Sequence, residues 1–280
     1  MMEFFKQFDN GIKLVVNQMP SLLSVSMGIL VHIGAAAETD SEDGISHFIE
    51  HMQFKGTSKR TAFQISDEMD RIGAQMNAFT SKDLTCYYAK STTAHAEEAF
   101  DILADLFLNS IYPEDELKRE KGVIIEEINM NEDTPDDLCL DLLSHAFFGE
   151  RGYGRNILGS RENVSGFTKN DIKNYKNKYY FPGNIVISMA GNINTNIAEE
   201  LVNKYFGNLR NSPCNKPRIA VELQARSLYK TKDIEQVHIG IAYPGLKRYE
   251  EKSDASLIMN AILGGGMSSR LFQKVREELG

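Results

Sequence analysis

Two histidines and a glutamate stand close together in His47-Phe48-Ile49-Glu50-His51. On an α-helix, residues i, i+3 and i+4 share a face, so the His47, Glu50 and His51 side chains point the same way. Two imidazoles one turn apart can grip a Zn²⁺ ion through ring nitrogens at about 2.0–2.1 Å. The carboxylate between them lies beside the ion, placed to take a proton from an activated water rather than to bind metal. Phe48, Ile49, Met52 and Phe54 make the segment too apolar for an exposed helix. A buried face carrying three ionisable groups needs compensation, because unpaired buried polar groups are costly. A metal supplies it.

A catalytic zinc keeps three protein ligands and one open position. The third is expected from another helix, and the segment 116–131 offers Glu120, Glu126 and Glu127. Glu120, Ile124, Glu127 and Asn131 form one stripe, while Glu126 lies about 100° away on the neighbouring face. Periodicity alone does not choose between Glu126 and Glu127, and all three are also readable as solvated helix charges. The histidine-glutamate pattern itself, HxxEH, is the inverzincin signature, HExxH read in reverse.

The elements that must position these residues follow from patterning. FFKQF and KLVVNQ read as strands around the turn Asp9-Asn10-Gly11. Met27, Ile29, Val31 and Ile33 alternate as a third strand. The acidic loop ETDSEDG, with Glu38, Asp40, Glu42 and Asp43, reads as solvated, attraction of basic peptides being the second reading. The zinc-type segment reads as a helix with Asp43 at its N-cap and Gly56 as its stop. A short helix to Gly73, the strands QMNAFTS and LTCYYAKS, and long helices opening at Ala94, Pro113 and Pro135 come next. A helix, a strand and a helix follow over 169–209. This mixture predicts an α+β fold, a mostly antiparallel sheet with helices packed on one face.

Residues 211–222 look like a linker, with two prolines and no periodicity. Beyond it the pattern restarts. Val237, Ile239, Ile241 and Tyr243 repeat the alternation of Met27 to Ile33, 210 residues later. The helix SDASLIMNAILGG overlays the HxxEH segment at the same offset, with Leu257, Asn260 and Ala261 in place of His47, Glu50 and His51. We read a duplicated domain. Residues 1–210 form the zinc-binding copy, and 223–280 begin a truncated copy without ligands.

Four motifs, HFIEHMQFKGT, AQMNAFTSKDLTCYY, KGVIIEEINMNEDTP and LGGGMSSRLFQKVREELG, occur in that order. Together they resemble the pitrilysin family, in its mitochondrial-processing-peptidase-like, bacterial branch, over the whole chain. The resemblance implies paired α+β domains, the first facing a chamber with the active site. It makes His47 and His51 ligands of one Zn²⁺ and Glu50 the general base. The family's third ligand falls 76 residues after the second histidine, which selects Glu127, with Glu120 supporting the site one heptad earlier. Asn77 and Ala78 match residues that hold substrate backbone along a strand edge, and Phe54 an apolar wall of the cleavage pocket. Arg276 matches an arginine that helps bind the scissile carbonyl. A tyrosine partnering it would fall beyond Gly280, so the chain as it stands is expected to be an incomplete catalyst.

The expected activity is zinc-dependent endopeptidase cleavage of unfolded peptides or presequences. The alternative is a non-catalytic subunit that binds peptides or a catalytic partner, disfavoured because all three HxxEH residues are present. An extended peptide is the implied partner, with a homodimer or a related subunit as the implied assembly.

The chain has 280 residues and a formal net charge of −8, which argues against nucleic-acid or anionic-membrane binding. No apolar run approaches the roughly 18 residues of a membrane span. Three scattered cysteines, Cys86, Cys139 and Cys214, read as reduced thiols. With no targeting segment in view, cytoplasmic residence is expected.

Overall fold

A computed structural model describes residues 2–210, 219, 221, 223–247 and 249–280. They divide into two compact units, Met1–Gly240 and Ile241–Gly280. The expected linker at 211–222, with Cys214, lies mostly outside the described residues.

Among the described residues of the first unit six strands form one sheet: β1 (Met2–Gln7), β2 (Lys13–Gln18), β3 (Ser24–Val31), β4 (Gln75–Thr80), β5 (Thr85–Thr92) and β6 (Ile185–Gly191). Their order is β1-β2-β6-β3-β5-β4. Only β2 and β6 run parallel; the other pairs are antiparallel. The expected α+β architecture, mostly antiparallel, is what forms. The alternation in the sequence becomes one buried face: Leu14, Val16, Val25, Met27, Ile29, Val31, Tyr87, Ala89, Ile185, Ile187 and Met189 are essentially inaccessible. Helices cover that face, because each strand's apolar side must leave water.

Among its described residues, this unit has eight α-helices: α1 (Ile45–Gln53), α2 (Ala62–Arg71), α3 (Ala96–Asn109), α4 (Glu114–Asp133), α5 (Pro135–Phe148), α6 (Arg161–Gly166), α7 (Lys169–Tyr179) and α8 (Thr195–Phe206). Helix α1 packs on β4 and β5 and against α4 and α7, while α3 crosses β5. Phe48 and Ile49, on the face of α1 turned to the core, are fully buried, and the Phe48 ring lies 5.4 Å from that of Phe167.

The start of α1 differs from expectation. Its N-cap is Gly44, in a left-handed conformation (φ 92°), not Asp43. A Cβ there would meet Leu158 O at 2.7 Å, so only glycine fits. With Gly44 turning the chain, Asp43 points away and binds Arg155 at 3.1 Å. Glu38 supplies the cap instead: its carboxylate accepts from Gly44 N–H at 2.7 Å and Ser46 N–H at 2.8 Å. Glu38 is thus buried rather than solvated. Asp40 is bound by Arg151 and Arg155, and Glu42 by Lys178. The acidic loop is consumed by internal pairs and offers no free acidic patch.

In the second unit α9 (Ser253–Gly264) forms where the repeat predicts it, and a π-helical stretch follows at Phe272–Glu278. The expected strand at 237–243 does not form. Val237, Ile239, Ile241 and Tyr243 stay exposed, because alternation marks a face but a strand also needs a neighbour's backbone, and none pairs with it among the described residues. Among the described residues, no helix is long and apolar enough to cross a membrane.

Candidate metal centre

Helix α1 brings His47, Glu50 and His51 to its side facing α4, as the i, i+3, i+4 spacing requires. From α4, Glu127 Oε2 comes within 3.7 Å of His47 Nε2 and 3.6 Å of His51 Nε2. Glu126 is exposed on the neighbouring face. Of the two, Glu127 is the one that faces the histidines. Ligand atoms of His47, His51 and Glu127 lie within 4.8 Å of one another, the one such cluster among the described residues.

These separations are too long for good hydrogen bonds, so the three groups face each other without bonding. The protonation of His47 suits a cation. Burial, with His51 beside it, pushes the His47 pKa down to about 3, so this imidazole is neutral and offers a lone pair. His51 Nδ1 lies 3.0 Å from Glu120 Oε2, which fixes the ring and turns Nε2 to the gap. Burial pulls the His51 pKa down, but Glu120, Glu127 and Glu50 outweigh it and hold it above the ordinary value. Two imidazoles and one carboxylate are a donor set that fits zinc. One atom is not accommodated: His47 Nδ1 is buried without a partner.

Glu50 stands beside the cluster and not in it. Its Oε2 accepts a hydrogen bond from Thr80 Oγ1 at 2.5 Å. Burial lifts its carboxyl above the usual range, opposed by Thr80 and His51. Thr80 closes β4, an edge strand of the sheet. On that strand Ala78 is buried, and its N–H donates to Asn77 Oδ1 at 2.8 Å. Phe54 is the C-cap of α1, half-buried against the core. Arg276 belongs to the second unit, its guanidinium 4.9 Å from the Phe272 ring centre.

Three residues here were not singled out for the site by sequence reasoning. Thr80 shares strand parity with Ala78, so alternation could have placed it toward α1. Lys55 binds Glu120 Oε1 at 2.6 Å and continues the stripe His47, His51 at four-residue spacing. Lys176, on α7, has its amine buried behind the end of α1. It donates to Tyr112 OH at 2.7 Å, Phe107 O at 3.0 Å and Gln53 Oε1 at 3.3 Å. Nothing in its local pattern marks it.

Burial pushes the Lys176 pKa down to about 7. The unfolded chain holds that proton up to about 10.4. Between these values the unfolded state binds more protons, so stability rises with pH, by at most about 1.4 kcal/mol per unit. Urea unfolding midpoints of the wild-type chain between pH 7.5 and 9.5 are expected to show this gain over Lys176→Met, whose curve lacks it.

Comparison with known proteins shows the family. Residues 13–161 match the model of "Insulinase (Peptidase family M16)", and residues 166–280 that of "Peptidase M16 inactive domain". An uncharacterized zinc protease of Bacillus subtilis is 44% identical over 275 residues, covering 97% of this chain and 66% of the relative. One of Streptomyces coelicolor is 38% identical over 279 residues, 96% of this chain and 61% of the relative. The chain thus spans just under two thirds of the length of these relatives. Among solved structures, a Helicobacter pylori protease superposes with a TM-score of 0.83 at 21% identity, over 99% of this chain and 69% of that one. A peptidase M16 inactive domain from Pseudomonas fluorescens gives 0.82 at 20%, over 99% and 68%. Both share the fold. The relatives are named zinc proteases, and the chain belongs to the insulinase, or pitrilysin-like, peptidase family M16.

Proposed function

We propose that this protein is a zinc-dependent endopeptidase acting on extended, unfolded peptides. His47, His51 and Glu127 would hold the metal, and Glu50 would be the general base. One observation carries the reading: three donors from two helices converge around a gap with an unligated carboxylate beside it. Zinc bound there would supply Lewis acidity, polarising a peptide carbonyl and making water acidic near neutral pH. Thr80 holds one oxygen of Glu50, which leaves the other to take a proton and hand it to the leaving amine. The open side of β4 at Asn77 and Ala78 would align the peptide by strand addition, which reads backbone more than side chain. Phe54 would wall the cleavage pocket, and Arg276 would assist from the second repeat.

In domain terms, 1–210 would be the catalytic copy and 223–280 the start of the non-zinc copy. Pairing with a second copy or a related subunit is part of the same proposal. The test uses protein of the relatives' full length and a quenched unfolded peptide. Dialysis against a chelator is expected to remove cleavage and zinc together, and zinc to restore both. Undiminished cleavage by metal-free protein would refute the proposal.

A further inference from the structure

Glu120 reaches its partners with both oxygens. Oε2 lies 3.0 Å from His51 Nδ1, and Oε1 lies 2.6 Å from Lys55 Nζ. The carboxylate is buried, its side chain only 7% exposed, and so has little water to orient it. Lys55 lies just past the end of α1, and Glu120 on α4. The chain Lys55–Glu120–His51 therefore ties the end of the histidine helix to the helix that carries Glu127. A carboxylate that receives one hydrogen bond can rotate about its last side-chain bond. One held at both oxygens cannot, and it presents Oε2 to the imidazole in a single orientation.

We infer that Lys55 is a positioning residue of the metal centre: it locks Glu120, Glu120 locks the His51 ring, and the affinity of the site for zinc depends on this outermost member. The inference rests on the proposed zinc site. It extends that site one shell beyond the group that touches a ligand, where loss of an outer partner typically costs 10- to 100-fold in metal affinity. A rival role exists, since a lysine at a helix C-terminus also favours the helix dipole. That role would alter stability but would not act through Glu120.

The distinction is measurable without activity. Zinc dissociation constants are read by competition with a chromophoric chelator at one pH, for the wild-type chain, Lys55→Met, Lys55→Arg, Glu120→Gln and the Lys55→Met/Glu120→Gln double variant. Circular dichroism checks folding, and Lys55→Gln replaces Lys55→Met should the latter not fold. Lys55→Met is expected to weaken zinc binding about 10-fold, near the lower end of that range, and Lys55→Arg to retain most of the affinity. In the Glu120→Gln background the same substitution is expected to add little, because the two residues act as one unit. Wild-type affinity in Lys55→Met, or an equal loss in both backgrounds, overturns the inference while leaving the zinc site standing. A wild-type chain that takes no zinc removes the proposed function itself, and this inference with it.

Discussion

Glu50→Gln, in protein of the relatives' full length, is expected to lower peptide cleavage by about 10²- to 10⁴-fold, the usual contribution of a positioned general base. Zinc content should stay unchanged, because Glu50 is not among the converging donors. The substitution keeps shape and volume, and its amide oxygen can still accept from Thr80 Oγ1. What it loses is the ability to accept a proton. The expected signature is a fall in kcat with KM nearly constant, since a group that acts in the transition state contributes little to ground-state binding. Full activity in this variant would remove Glu50 as the base. A parallel loss of zinc would move it into the ligand set.

Glu127→Ala tests the other half of the centre. Glu127 is the member contributed by a distant segment, and it faces both imidazoles at 3.6–3.7 Å. Without it two ring nitrogens remain, and the cation loses its only charged ligand in the proposed set. An outer partner is already worth 10- to 100-fold in metal affinity, so removal of this ligand should cost more than about 100-fold. The check is zinc per chain after dialysis against a weak chelator. Glu126→Ala is the control: its side chain points to solvent on the neighbouring face, and zinc retention should match wild type. Equal loss in both variants, or loss in the control alone, would contradict the geometry.

How far the sequence carried this differs residue by residue. His47, Glu50 and His51 were legible because their relation is local: helical spacing alone puts them on one face. Glu127 was not separable from Glu126 by periodicity, since adjacent positions on α4 differ only in rotation and the orientation of α4 toward α1 is set by distant packing. The resemblance selected Glu127, and the fold places it opposite the histidines. The sheet was legible from alternation at Met27 to Val31, where one buried face leaves an unambiguous pattern.

The same alternation misled at Val237 to Tyr243, because it carries no information on whether a pairing backbone is at hand. The cap of α1 was missed for a related reason. Asp43 is the local candidate, but the left-handed turn at Gly44 removes it, and Glu38 arrives from a loop whose path is not written in its own residues. Thr80 and Lys55 lay within reach of simple spacing rules, yet each acquires meaning only once β4 and α4 are seen beside α1.

The central claim is that one divalent ion is shared between α1 and α4. Crystals of the chain grown with zinc, with diffraction recorded on both sides of the zinc absorption edge, test it most directly. A single strong anomalous peak is expected, bonded to His47 Nε2, His51 Nε2 and the Glu127 carboxylate, with nitrogen distances of about 2.0–2.1 Å and Glu50 outside the coordination shell. A peak elsewhere, or an empty gap between these three side chains at saturating zinc, would contradict it.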